Sequence, residues 1–187
     1  MAADLLMIDD RSSGDERSLL GTSWRLITDN VMGGVSSGRL TMDAREGRLC
    51  LRLQGDVRLE NSGGFVQVAL DVKREGAFDA SNYTGVQLEV FGNGEAYNVH
   101  LRSDDVWLPW QSYRATFYAL PGWHTVRLPF ADFDGYRIFT ALDLKHLERI
   151  GIVAIGRAFA ADLCLASLAL YRDEPASPAA TARVYER

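Results

Sequence analysis

Side chains able to do chemistry recur at every second position through the middle of this chain. Asn98, His100 and Arg102 alternate with Tyr97, Val99 and Leu101, and Arg114, Thr116 and Tyr118 alternate with Tyr113, Ala115 and Phe117. Gln87 and Glu89 fall between Val86, Leu88 and Val90, and Gln67 falls between Val66 and Val68. A period of two puts each set on one face of a β-strand. Such a face has two readings. It is the solvated outer side of an antiparallel sheet, or it is a shallow binding surface made of amide, imidazole, guanidinium and phenol groups. In the second reading Arg102 and Arg114 offer forked donors to a carboxylate or to a pair of sugar hydroxyls. Glu89 then accepts from ligand hydroxyls or holds an arginine in place, and Trp107 closes one rim.

The segment DDVWLPWQSYR, residues 104–114, crowds Trp107, Trp110 and Tyr113 beside these strands. Aromatic loops over a polar sheet face stack on sugar rings or grip a protein, and a tryptophan in such a loop equally well caps the core. Other chemistry is not encoded. His100, His124 and His146 lack metal-ligand spacing, and there is no H-x-x-x-H, C-x-x-C, G-x-S-x-G, P-loop or G-x-G-x-x-G. Asp104-Asp105 could contribute to a loop calcium site, but two carboxylates are also what a solvated loop carries. The expectation is a protein with no catalytic set, no metal and no cofactor.

Bulk composition narrows the partners. The chain has 187 residues, 47% hydrophobic and 24% charged, which suits one globular domain with a core of its own. Twenty Lys and Arg against 25 Asp and Glu give a net charge of −5. A mildly acidic chain lacks the basic field that nucleic acid or an anionic membrane would require. No apolar run approaches the roughly 20 residues of a membrane span. The N-terminal MAADLLMIDDRSSGDE has neither the basic-then-apolar order of a signal peptide nor the arginines of a transit peptide. A cytoplasmic location is expected. Cys50 and Cys164 lie in apolar runs and are expected as buried thiols, with a disulfide formally open.

The elements that must position these residues are strands. Alternation or apolar runs bounded by Gly, Asn and Asp predict strands over 24–28, 37–43, 47–54, 56–60, 64–72, 85–92, 95–103, 112–119, 123–128, 150–155 and 163–171. Short helical segments are expected over 15–20 and 141–149. Many short strands with one or two short helices predict an all-β jelly-roll sandwich. Residues 1–23 are expected as a lead-in, 24–172 as the sandwich and 173–187 as a flexible tail.

Two glycine stretches remain. TDNVMGGVSSG, residues 28–38, sets Asp29 and Asn30 ahead of Met32, Gly33, Gly34 and Ser36. LENSGGF, residues 59–65, sets Glu60 and Asn61 ahead of Gly63 and Gly64. Glycine allows positive φ or close approach of a neighbour, and short side chains such as Asp29 and Asn61 suit bonds to turn amides. The two loops are expected either to tie each other's backbone or, through Met32 and the rim, to form a protein-docking patch.

With Trp24 upstream and WHTVRLPFADF at 123–133, the order of these motifs resembles the complex I intermediate-associated protein 30 family over residues 24 to 171. The resemblance implies a galactose-binding-like jelly roll and a non-enzymatic role. Mitochondrial members of that family help assemble respiratory complex I, and related domains occur in bacteria and chloroplasts; a bacterial single-domain member is expected here. The first functional expectation is therefore a binding or assembly-factor domain with a protein partner. The alternative is a carbohydrate-binding module that uses the polar sheet face and the loop of Trp107 and Trp110.

Overall fold

A computed structural model describes residues 4–73, 75–76 and 78–173. Twelve strands build it: β1 (Asp4–Asp9), β2 (Arg25–Thr28), β3 (Ser37–Arg45), β4 (Arg48–Val57), β5 (Phe65–Asp71), β6 (Gly85–Phe91), β7 (Glu95–Ser103), β8 (Ser112–Ala119), β9 (His124–Pro129), β10 (Asp134–Tyr136), β11 (Leu147–Ile155) and β12 (Phe159–Arg172). They form two six-stranded antiparallel sheets. The back sheet runs β3-β4-β12-β6-β9, with β1 also on β12, and the front sheet runs β10-β8-β7-β11-β5-β2. This is the all-β jelly-roll sandwich expected from the sequence. Among the described residues there is no α-helix, and so none long and apolar enough to cross a membrane.

The period-two pattern explains the core. Tyr97, Val99 and Leu101 of β7, Ile150 and Ile152 of β11, and Val66, Val68 and Leu70 of β5 all face inward and are buried. They meet Val86, Leu88 and Val90 of β6 and Leu163, Leu165, Leu168 and Leu170 of β12. The sheets thus bury matched apolar faces, the main stabilising contribution in a sandwich of this kind. β12 is long enough to serve three partners, with its first half on β4, its second half on β1, and β6 along its other side.

Several elements differ from the expectation. The stretch 141–149 has good helix formers, yet only Leu144–His146 makes a 3-10 turn. From Leu147 onward the chain is β11, paired on both sides by β5 and β7, and this pairing overrides local propensity. Residues 15–20 are not helical either; Arg17 bridges Ser23. The runs 47–54 and 56–60 give one strand, β4, followed by the short turn Glu60–Ser62. The expected lead-in contributes β1 to the back sheet. There Asp9 and Arg11 form a buried ion pair, and Trp24 donates its indole N–H to Asp9 at 2.5 Å. Residues 174–187 of the expected tail lie outside the described residues. Cys50 and Cys164 are fully buried as expected, but they are joined as a disulfide rather than left as thiols. Pairing of β4 with β12 brings their Cα atoms to 5.3 Å across 114 residues of sequence, a proximity that spacing alone does not reveal.

Candidate functional site

The two glycine stretches are the places where the chain changes sheets. Residues 29–36 carry it from β2 in the front sheet to β3 in the back one, and residues 58–64 carry it from β4 back to β5. Thr28 caps the 3-10 turn Asp29–Met32, and Gly33 ends it with φ of 84°. Asp29 is fully buried at the seam between the loops. Its carboxylate accepts the Ser36 N–H at 3.0 Å, the Ser36 hydroxyl at 2.6 Å and the Gly64 N–H at 2.6 Å. Burial alone would raise its pKa, but these hydrogen bonds outweigh that effect and hold the carboxyl below its usual range. Ser36 Oγ also accepts the Arg58 N–H, and Asn61 donates to the Gly33 carbonyl. Asn30 donates to the carbonyl of Ser36 at 2.6 Å. Glu60 stays at the surface, paired with Arg58. The four glycines divide the work. Gly33 and Gly64 take positive φ. Gly34 and Gly63 leave room for Asp29, since a Cβ on either would lie 2.3 Å or 2.4 Å from its carboxyl group.

This buried tie leaves the loop tips outside. Val31 is 74% and Met32 53% exposed, and Leu59 stands beside them. All three border a cleft of about 720 Å³ on the outer face of the front sheet.

The opposite rim is the tryptophan loop. Trp107 is 87% exposed, and Trp110 is also exposed. Arg102, reaching out from β7, holds this loop in place. Its guanidinium donates to the carbonyls of Val106, Leu108 and Gln111, each at 2.9 Å, and to that of Pro109 at 3.3 Å. Expected as an exposed donor for ligand, Arg102 is instead half-buried and engaged with backbone.

The floor comes from β5, β7, β8 and β11. Gln67 lies over Gly151, where a Cβ would sit 3.1 Å from its side chain. His100 and Arg114 are direct cross-strand partners. The Arg114 plane stacks on the Tyr136 ring at 3.7 Å, donates from Nε to Ser112 Oγ at 2.9 Å and from Nη2 to the Trp110 carbonyl at 3.2 Å. Ser112 Oγ, accepting from Arg114, lies 3.3 Å from His100 Nδ1, to which it donates when the ring proton is on Nε2. His100 Nε2 is buried without a partner. Burial, and secondarily the charge of Arg114, push the His100 pKa down to about 3. A serine beside a histidine is the beginning of a nucleophile–base pair, but a ring with so low a pKa is a feeble base near neutrality, and among the described residues no carboxylate orients it. The arrangement can bind and orient a ligand.

Of the strand residues singled out from the sequence, Gln67, His100, Arg102 and Arg114 line the cleft, and Trp107 forms its rim. Gln87 and Glu89 do not belong to it. They point outward from β6 in the back sheet, where Gln87 accepts from Arg127 and Glu89 pairs with Arg48 and Thr125. Parity told which face of the strand they occupy, not which sheet contains that strand. Asn98 and Thr116 bond each other at 2.9 Å on the front sheet but outside the cleft lining, as does the exposed Tyr118. Tyr136, Arg149 and Gly151 line the cleft without having been foreseen. Tyr136 sits on the three-residue β10, too short to show a period. Away from the cleft, Asp104, Asp143 and His146 gather at the surface with ligand atoms within 4.8 Å of one another. There His146 donates to Asp143 at 2.7 Å, and Lys73 pairs with Asp104.

The sequence matches the complex I intermediate-associated protein 30 family over residues 15–165, and the chain belongs to that family. No curated protein matches the sequence. Among solved structures, the fold is similar to the family 11 carbohydrate-binding module of the cellulosomal cellulase Lic26A-Cel5E of Clostridium thermocellum. The two are 11% identical with a TM-score of 0.72, over 95% of this chain and 100% of that one. A family 11 module from the same organism, solved in complex with a β-1,3-1,4-mixed-linked tetrasaccharide, is 12% identical with a TM-score of 0.71 over 92% and 98% of the chains. A family 30 module of the C. thermocellum cellulase Cel9D-Cel44B is 14% identical with a TM-score of 0.56 over 73% and 83%. At these identities the likeness is one of fold.

Proposed function

We propose that this member of the complex I intermediate-associated protein 30 family is a non-catalytic binding domain that grips a protein partner in the front-sheet cleft, in the manner of an assembly factor. The observation that supports this most is the rim. Val31, Met32, Leu59, Trp107 and Trp110 stand exposed around one concavity. Exposed apolar groups gathered in this way mark interaction surfaces, and Trp and Met are favoured at the centre of protein interfaces. Their mounts are rigid: buried Asp29 fixes one rim and Arg102 the other, so little ordering is left to oppose binding. A role in assembling respiratory complex I is the finer form of this reading, and family membership supports it.

The test is capture from a native extract with matched variants. Trp107→Ala and Met32→Asp should each lose the captured protein while keeping the wild-type melting temperature. Glu89→Ala, on the other sheet, should keep it. Capture by the rim variants at wild-type level would sink the proposal, and recovery of complex I subunits by the wild type would support its finer form.

A second reading, a carbohydrate-binding module, is favoured by the fold shared with modules of that class and by the exposed Trp107. Against it, among the described residues no carboxylate lines the cleft to accept from sugar hydroxyls. Binding to a glycan array that Trp107→Ala abolishes would establish it.

A further inference from the structure

Among the described residues the cleft is lined by charges of one sign: Arg102, Arg114 and Arg149 contribute to it and no Asp or Glu does, in a chain whose net charge is −5. Arg149 shares Asp71 with Arg25. Among the described residues neither Arg102 nor Arg114 has a carboxylate within ion-pair distance. Both are half-buried, and desolvation acts against the charge of each. A cation taken partly out of water without a counter-ion is costly unless something supplies one.

Arg114 is also unfinished as a donor. Of the five N–H groups a guanidinium carries, two are used, by Ser112 and Trp110. Stacking on Tyr136 fixes the plane of the fork, and the remaining donors belong to the Nη atoms. Beside it His100, only 8% exposed, has a buried Nε2 with no hydrogen-bond partner. Neutral sugars need acceptors as well as donors, and the charged groups of this floor are all donors.

We infer that the cleft takes a carboxylate on the free edge of Arg114, presented by an acidic polypeptide segment whose apolar neighbours rest on Met32, Leu59, Trp107 and Trp110. This rests on the protein-binding reading above and specifies its chemistry. The forked geometry of Arg114 matches the two oxygens of a carboxylate. Overall repulsion between an acidic chain and an acidic segment is offset locally, because the cationic cleft is partly screened from solvent.

The probes are Ac-Leu-Glu-Leu-NH2, its Gln counterpart, glucuronate and glucose, each titrated into the full chain. Binding is followed by the indole N–H resonances of Trp107 and Trp110 and the Nε–H of Arg114. The Glu peptide should shift these signals and bind about tenfold tighter than the Gln peptide or more, as expected for hydrogen bonds to a charged group. Arg114→Gln should erase that preference, and Arg114→Lys, which keeps charge without the fork, should retain part of it. If Arg114→Gln fails to fold, the two peptides on the wild-type chain still decide. Equal affinity for both peptides overturns the carboxylate while leaving a peptide-binding cleft. Tighter binding of glucuronate than of the Glu peptide overturns the polypeptide. If neither peptide moves the indole signals, the carboxylate inference fails; the protein-binding reading fails with it only if Trp107→Ala also leaves partner capture unchanged.

Discussion

The carboxylate of Asp29 accepts the backbone N–H of Gly64 at 2.6 Å, joining two loops that lie 35 residues apart in sequence. Each loop carries the chain from one sheet to the other, so this contact closes one corner of the sandwich. It also fixes the height of Val31 and Met32 above the cleft. The two GG motifs are thus explained as much by one buried carboxylate as by their own dihedral angles.

Asp29→Ala should cost about 2–4 kcal/mol in urea unfolding, because the Ser36 and Gly64 N–H groups and the Ser36 hydroxyl lose their acceptor in a buried place. The wild-type contribution depends on pH in a defined sense. The folded pKa is depressed, so the stabilisation is complete above the unfolded value near 3.8 and is lost as pH falls through the folded value. Asp29→Asn should therefore flatten the stability profile below that pH; an unchanged acid limb would contradict the assignment.

Gly34→Ala tests space rather than dihedral angle. Gly34 has no positive φ, yet a Cβ there would lie 2.3 Å from Asp29 Cγ. Gly47, in the β3–β4 hairpin, has φ of 76° and nothing within 4 Å of an added Cβ. Gly47→Ala should cost about 1 kcal/mol, from the left-handed backbone alone. Gly34→Ala should cost about 2 kcal/mol or more, as overpacking against a held group does. Equal melting temperatures for the two variants would remove the close-packing argument.

How far the sequence disclosed this molecule depends on the range of each signal. Alternation is local, and it placed Tyr97, Val99 and Leu101 in the core and His100 and Arg102 outside it. Sheet membership is not local. Gln87 and Glu89 have the same parity signature as Asn98 and His100, yet β6 pairs with β12 in the other sheet. The helix expected at 141–149 failed for the same reason, since Leu147–Ile155 is held between two strands distant in sequence. The cleft was half legible. Its floor residues and Trp107 were recognisable by type, and so were the glycine loops, but nothing in the sequence showed that they border one concavity. Arg102 could be placed on the correct face and still be misread, because its acceptors are carbonyls and carbonyls leave no mark in a sequence.

Arg102→Ala should release the tryptophan loop. Four carbonyls between Val106 and Gln111 lose their donor together. The global cost is expected to be about 1–3 kcal/mol, with the effect concentrated in residues 106–111. Hydrogen exchange should show those amides opening while β7 and β11 stay protected. Trp110, 43% exposed in the wild type, should become more easily quenched by iodide. Uniform loss of protection across the front sheet would instead assign Arg102 to the sandwich as a whole.

His100 should remain neutral far below the pH at which histidines usually charge. Its ring lies beneath the cleft with Nδ1 against Ser112 and Arg114 next to it, and its pKa is pushed from the usual 6.5 down to about 3. The unfolded chain binds a proton near pH 6.5 that the folded chain refuses, so the contribution of His100 to stability is complete above that value and falls as the solution is acidified. Between pH 7 and pH 4.5 the wild type should lose about 2–3 kcal/mol through this group. His100→Asn, with an amide oxygen for Ser112 and no titrating ring, should lack that part of the slope, while carboxylates titrating in the same range affect both proteins alike. The ring itself gives an independent check. Nitrogen-15 spectra at pH 5 should show a neutral imidazole protonated at Nε2; a neutral ring protonated at Nδ1 would refute the hydrogen-bond order from Arg114 through Ser112 to His100, and a ring that titrates near 6.5 would refute the depressed pKa.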